Sequence, residues 1–289
     1  MSLFLLRELI GSVISTYMIE LINDARRANE SENPVFSELL KPLHDRTHHS
    51  ASLLYKPLAA FENAGAKYQI PRFIFLGPRG GAEPIRIGIF GAIHGDETAT
   101  ATGLVKFLEL LDQAPELARD FCLFIYPICN PTGFEDGTRF SRRGRDLNRE
   151  FWNNSREPEV LGLQLELCTH AFDGIISLHA DDTTDGLYGF VSGATLTENL
   201  LEPALQAAEL FLPRNHQPLI DGFAASKGII REGYQGILSA PPVVSPRPFE
   251  LVFETPHLAP IALQEQAFIV ALLSILAEYR KTVSYAANL

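Results

Sequence analysis

The segment Ile85-Arg86-Ile87-Gly88-Ile89-Phe90 is rich in isoleucine and alternates in character, as a buried strand does. It runs directly into Gly91-Ala92-Ile93-His94-Gly95-Asp96-Glu97 and then into an apolar stretch from Thr98 to Leu111. A strand passing straight into a helix is the unit from which α/β sheets are built, and it constrains this chain more than any other feature. Asp96 and Glu97 read as an acidic first turn of that helix. His94 at the carboxyl end of the strand and Glu97 three residues on can turn toward one point above the sheet edge. Imidazole nitrogen and carboxylate oxygen suit Zn²⁺, and a catalytic zinc takes three protein ligands with one position open. Two ligands are in place, so a third and a base must come from elsewhere in the chain.

The alternation continues on both sides. Phe73 to Leu76 reads as a strand, Gly77-Pro78-Arg79-Gly80-Gly81 as a turn and 85–92 as the next strand, which predicts a hairpin. The pattern then gives a helix over 97–112, a strand over 121–128, a helix over 158–172 and a short strand over 174–178 that ends at His179. A strand over 187–191, a helix over 197–211, a strand over 249–254 and a closing helix over 260–280 with Pro260 at its start complete it. The expected fold is α/β, a single-domain three-layer sandwich with a mixed, mostly parallel sheet and helices on both faces. Ligands bind such sheets at the carboxyl ends of strands. His94, Asn130, His179 and Glu254 all fall at those ends.

At 289 residues and 46% hydrophobic, the chain can bury a full core. Its 35 acidic residues against 24 basic ones give a net charge of −11, and no Lys/Arg-rich run suggests a nucleic-acid partner. Cys122, Cys129 and Cys168 lack metal-type spacing and read as reduced core thiols of a cytoplasmic protein. Leu6, Leu9, Ile10, Val13, Ile14, Tyr17, Met18, Leu21 and Ile22 recur at helical spacing and predict an N-terminal amphipathic helix. Glu8 and the lack of a small-residue cleavage site argue against a secretory signal. The uncharged run Leu9 to Ile19 is too short to span a bilayer, and the polar face is not basic, so no membrane partner is expected. Residues 28–50 are polar and read as a loop-rich connection, with His44, His48 and His49 solvated. This divides the chain into 1–50, the helix and connection, and 51–289, the catalytic domain.

Asp173-Gly174-Ile175-Ile176-Ser177-Leu178-His179 is the natural source of the third ligand, because neighbouring parallel strands bring their ends together. Between the two histidines lie Arg139, Arg142, Arg143, Arg145 and Arg149, whose guanidinium groups can fork onto carboxylates or face a developing oxyanion.

His94-x-x-Glu97, Asn130-Pro131-x-Gly133, Arg139, Asp146-Leu147-Asn148-Arg149-x-Phe151, Leu178-His179 and Phe253-Glu254 occur in that order. The ordered set resembles the zinc metallocarboxypeptidase family and its succinylglutamate desuccinylase and aspartoacylase relatives, over about residues 85–256. The resemblance implies one Zn²⁺ held by His94, Glu97 and His179, with Asp146 accepting a hydrogen bond from the other ring nitrogen of His94. It implies Arg139 as the group that polarises the scissile carbonyl, and Asn148 and Arg149 as a clamp for a terminal carboxylate. Glu254 is the implied general base toward the attacking water.

The chain departs from the pattern where carboxypeptidases carry a substrate-covering tyrosine. Residues 239–248 contain none, and Tyr234 is the candidate substitute. The chain ends 35 residues after Glu254 (289 − 254), which is expected to leave no room for the extra C-terminal domain of aspartoacylases. The leading expectation is a zinc hydrolase cleaving an amide next to a carboxylate-bearing residue of a peptide. An N-acyl amino acid deacylase is the alternative, and a non-catalytic binding module on the same fold is the third reading. Oligomeric state is not legible in the sequence.

Overall fold

The computed structural model describes residues 34–81, 83–231 and 235–286; the expected N-terminal amphipathic helix and Tyr234 lie outside the described residues. The described chain opens with helix α1 (Pro34–Thr47) and strands β1 (Leu53–Tyr55), β2 (Phe61–Asn63), β3 (Ala66–Tyr68), β4 (Phe73–Leu76) and β5 (Ile85–Phe90). Helix α2 (Thr98–Gln113), β6 (Phe121–Tyr126), α3 (Pro131–Asp136), α4 (Pro158–Thr169), β7 (Gly174–Asp181) and β8 (Tyr188–Val191) follow. A helical stretch from Ala194 passes through a π turn at Thr197–Leu201 into α5 (Glu202–Ala208). Last come β9 (Leu219–Ile220), β10 (Phe223–Ser226), β11 (Ile229–Ile230), β12 (Phe249–Pro256) and α6 (Ile261–Ala286).

Ten strands form one mixed sheet in the order β1-β4-β6-β5-β7-β12-β8-β11-β10-β9, and β2 and β3 form a separate hairpin. The central run β6-β5-β7-β12 is parallel throughout, and antiparallel pairs flank it. Every residue of β6 is buried, as is nearly all of β7, because helices cover both faces. On one face Ile87, Ile89, Leu123, Ile125, Ile176 and Leu178 pack with residues of α1, α2, α5 and α6. On the other Phe90, Phe124, Tyr126 and Ile175 pack with Val160, Leu163 and Leu167 of α4. This is the expected three-layer sandwich. By length and composition α6 could cross a membrane, but Phe268, Leu272 and Ile275 are buried in the first of these cores.

The structure corrects several sequence expectations. Strands β4 and β5 form no hairpin: β6 lies between them, antiparallel to β4 and parallel to β5. The Gly77 N–H instead bonds the carbonyl of Phe121, so the 77–84 connection steps over a strand that arrives later in the sequence. Residues 34–47, within the connection read as loop-rich, are helical and bury Phe36, Leu40 and Leu43. That apolar stripe is short, and Pro42 and the histidines around it mask its period. His44 is no solvated loop residue, since its ring stands edge-on to Tyr55 at 4.3 Å. Cys168 is exposed, whereas Cys122 and Cys129 are buried. His179 lies within β7 rather than after it.

Candidate metal centre

The chain leaves β5 through Ala92, which takes the left-handed region at φ +44°. One buried hydroxyl holds this turn against α2. Thr100 Oγ1 accepts the Ala92 N–H at 2.7 Å and donates to the Glu97 carbonyl at 2.7 Å. Glu97 is the residue capping α2, and neither acid lies inside its first turn as expected. Asn130 caps α3, its Oδ1 accepting the Gly133 N–H at 2.9 Å, while its own N–H bonds the Ala92 carbonyl at 2.9 Å. The two loops touch at glycines: a Cβ on Gly95 would stand 2.0 Å from the Gly133 carbonyl carbon. The Asn-Pro-x-Gly sequence is therefore a cap, a helix start and a contact point for the His94 loop.

These elements bring His94, Glu97 and His179 together, all buried, with one donor atom from each within 4.8 Å of the others. No other such group occurs among the described residues. His94 Nδ1 is 2.6 Å from Glu97 Oε1, and His179 Nδ1 is 3.1 Å from Glu97 Oε2. Despite that distance Glu97 Oε2 has no aligned hydrogen bond and is an orphaned buried acceptor. Two imidazole nitrogens and a carboxylate with an unsatisfied oxygen make a donor set that fits a divalent ion such as Zn²⁺.

The outer nitrogens are also held. His94 Nε2 lies 3.2 Å from Asp146 Oδ1, as expected, and Arg139 donates to Asp146 Oδ2 through Nε and Nη2 at 3.2 and 3.0 Å. His179 Nε2 faces Ser177 Oγ at 3.0 Å and Asn148 Nδ2 at 3.4 Å. Burial acts to lower His94, but the charges of Glu97 and Asp146 overcome it and hold the imidazole at about 9. Burial acts to raise Glu97, and the two histidines instead bring it down to about 2. For His179 burial wins and the pKa is lowered.

Glu254 is the Cα partner of His179 on one side and of Tyr188 on the other. It is 8% exposed, and its carboxylate makes no hydrogen bond among the described residues. Burial, then the charges of Glu97, Asp181 and Asp221, push its carboxyl well above the usual range. Asp181 is itself fixed by Tyr188 Oη at 3.0 Å and Thr183 Oγ1 at 2.7 Å.

The arginine segment divides by role. Arg142 spends its fork on Glu135 and Asp136 and also meets Tyr68, so it fastens α3 rather than awaiting a ligand. Asn148, expected in a substrate clamp, is buried at 5% with its Oδ1 accepting the Leu238 N–H at 2.9 Å and its Nδ2 turned to His179. Arg149 is exposed and donates to the Asn148 carbonyl at 2.7 Å. Thr100 and Ser177 were missed from sequence. The i, i+2 spacing of Ser177 and His179 within a strand was the available signal for the latter.

The cluster stands at the strand ends of a parallel-centred sheet, the place where such sheets bind ligands. Residues 85–211 match the family model of the succinylglutamate desuccinylase/aspartoacylase catalytic domain, which bears out the resemblance drawn from the ordered motifs. Glu254 lies beyond the matched residues. No curated protein matches the chain. Among solved structures it is similar to a candidate metallopeptidase from Shewanella denitrificans OS217, with 23% identity and TM-score 0.69 over 84% of this chain and 89% of that one. A second, from Shewanella amazonensis SB2B, gives 24% and 0.68 over 83% and 91%. A metallo-carboxypeptidase from Burkholderia cenocepacia gives 18% and 0.63 over 88% and 70%. At these identities the likeness is one of fold.

Proposed function

We propose that the protein is a zinc-dependent hydrolase that cleaves an amide bond next to a carboxylate-bearing residue. The observation that carries this reading is the placement of Glu254, buried and with no hydrogen bond to its carboxylate among the described residues, beside His179 of the His94–Glu97–His179 cluster. His94, Glu97 and His179 would hold the ion, which when bound supplies a Lewis acid for the carbonyl and acidity for a water at neutral pH. Glu254 takes the proton of the attacking water and returns it to the leaving amine nitrogen. Arg139 keeps Nη1 without a hydrogen bond among the described residues while Asp146 fixes the rest of its guanidinium. It is the group for the developing oxyanion. Arg149, exposed beside Asn148, is the group for the substrate carboxylate. Tyr234 remains the candidate substrate-covering residue.

Two substrates satisfy this arrangement, since a peptide C-terminus and an N-acyl amino acid both present a carboxylate one carbon from the scissile nitrogen. The fold neighbours favour the peptide, and the family match over residues 85–211 favours the N-acyl amino acid. Assay of the zinc-loaded protein on C-terminally free peptides and on N-acyl amino acids decides between them. Turnover of neither class would reject the hydrolase reading.

A further inference from the structure

We infer that Ser177 is the residue that sets the metal-binding tautomer of His179; the inference rests on the metal reading of the site above. His179 points Nδ1 at Glu97 Oε2, so this is the nitrogen that can share an ion with Glu97 and His94. A neutral imidazole that gives up the Nδ1 lone pair carries its proton on Nε2 and needs an acceptor there. Nε2 has two neighbours. One is Asn148 Nδ2 at 3.4 Å, an amide nitrogen that can only donate. Turning the amide over would not help, because its oxygen accepts the Leu238 N–H at 2.9 Å and a flip would set donor against donor.

The other neighbour is Ser177 Oγ at 3.0 Å, whose hydroxyl can rotate to accept. Ser177 and His179 alternate on β7 and so share a face, and each is only 3% exposed, which leaves bulk water no place as a substitute acceptor. The two histidines are thus steadied differently. His94 has the carboxylate of Asp146 and His179 has a neutral hydroxyl. Ser177 touches neither substrate nor ion and acts through the imidazole, as a positioning residue.

The test is Zn²⁺ affinity of the full chain, stripped of metal and titrated against a competing chromophoric chelator, for wild type and for Ser177→Ala, Ser177→Thr and Asn148→Ala. Urea unfolding of each metal-free protein runs alongside. Ser177→Ala should weaken affinity roughly 10–100-fold, the usual cost of losing a partner of a metal-binding histidine. Its metal-free urea midpoint should stay near wild type, and Ser177→Thr should restore most of the affinity. In zinc-loaded wild type the His179 Nε2 proton should exchange slowly by NMR, and in Ser177→Ala it should broaden. Wild-type affinity in Ser177→Ala, or a larger loss in Asn148→Ala, would overturn the assignment. Failure of the wild-type protein to bind Zn²⁺ would instead reject the metal reading itself.

Discussion

Glu254 and His179 face each other as Cα partners across the parallel ladder of β12 and β7, so the proposed base and a proposed ligand are held by backbone hydrogen bonds rather than by loops. Strand pairing fixes their separation, and helices on both faces of the sheet hold the strands.

Glu254→Gln should keep the metal and lose most of the activity. The amide preserves shape but cannot take the proton of the attacking water, and such bases are typically worth ~10²–10⁴-fold. Single-turnover rates on whichever substrate class is accepted check this. A variant turning over at the wild-type rate would move the base elsewhere, with Asp181 the nearest candidate.

The two arginines should separate kinetically. Arg149→Ala should mainly raise KM, because a carboxylate contact exists in ground and transition states alike. Arg139→Ala should mainly lower kcat, by ~10²–10³-fold, since the charge it meets appears only in the transition state. Masking the substrate carboxylate as an amide should reproduce the Arg149 effect and add little to it. Equal cleavage of acid and amide would refute carboxylate recognition.

Thr100→Val should loosen the metal loop while leaving both ligands in the chain. The change strips the buried Ala92 N–H of its acceptor, while the Glu97 carbonyl keeps the Thr100 N–H at 3.1 Å and loses only the hydroxyl. A buried group left unsatisfied costs about 1–3 kcal/mol. Chemical unfolding should show that loss, together with a drop in metal affinity. Unchanged affinity would mean that the turn is held by other contacts.

Away from the site, the Glu166 carboxylate receives Arg72, the Tyr126 hydroxyl at 2.7 Å and His170 at 3.1 Å. Burial acts to raise its pKa, but His170 and Arg72 overcome that and hold it at about 2. A carboxyl depressed in the folded state stabilises fully above its unfolded value, about 4.3, and loses that contribution as pH falls toward 2. Glu166→Gln should therefore destabilise the metal-free protein by roughly 1.5–3 kcal/mol at pH 7, as for a hydrogen bond to a charged group. The gap to wild type should narrow between pH 4 and 2. A constant gap over that range would contradict the assignment.

The sequence reading and the structure agree where the signal is local. The strand 85–90, the helix after it and the His-x-x-Glu spacing are all readable within one short window. Asp146 was legible through its motif, and its bond to His94 Nε2 follows. What failed was non-local. No window around 73–92 shows that β6 will insert between β4 and β5. Ser177 looks like an ordinary strand residue until His179 turns its ring back along the same face. The partner of the Asn148 oxygen is equally invisible locally, since the Leu238 N–H that it accepts lies 90 residues later in the chain.

The central claim, one divalent ion held by His94, Glu97 and His179 and required for hydrolysis, is tested most directly by zinc content per chain after dialysis, measured with activity in wild type, His94→Ala and His179→Ala. The account predicts one tightly held zinc and activity in the wild type, and loss of both in either variant, since removing one of three ligands leaves the ion weakly held. Stoichiometric zinc with full activity in either variant would contradict it.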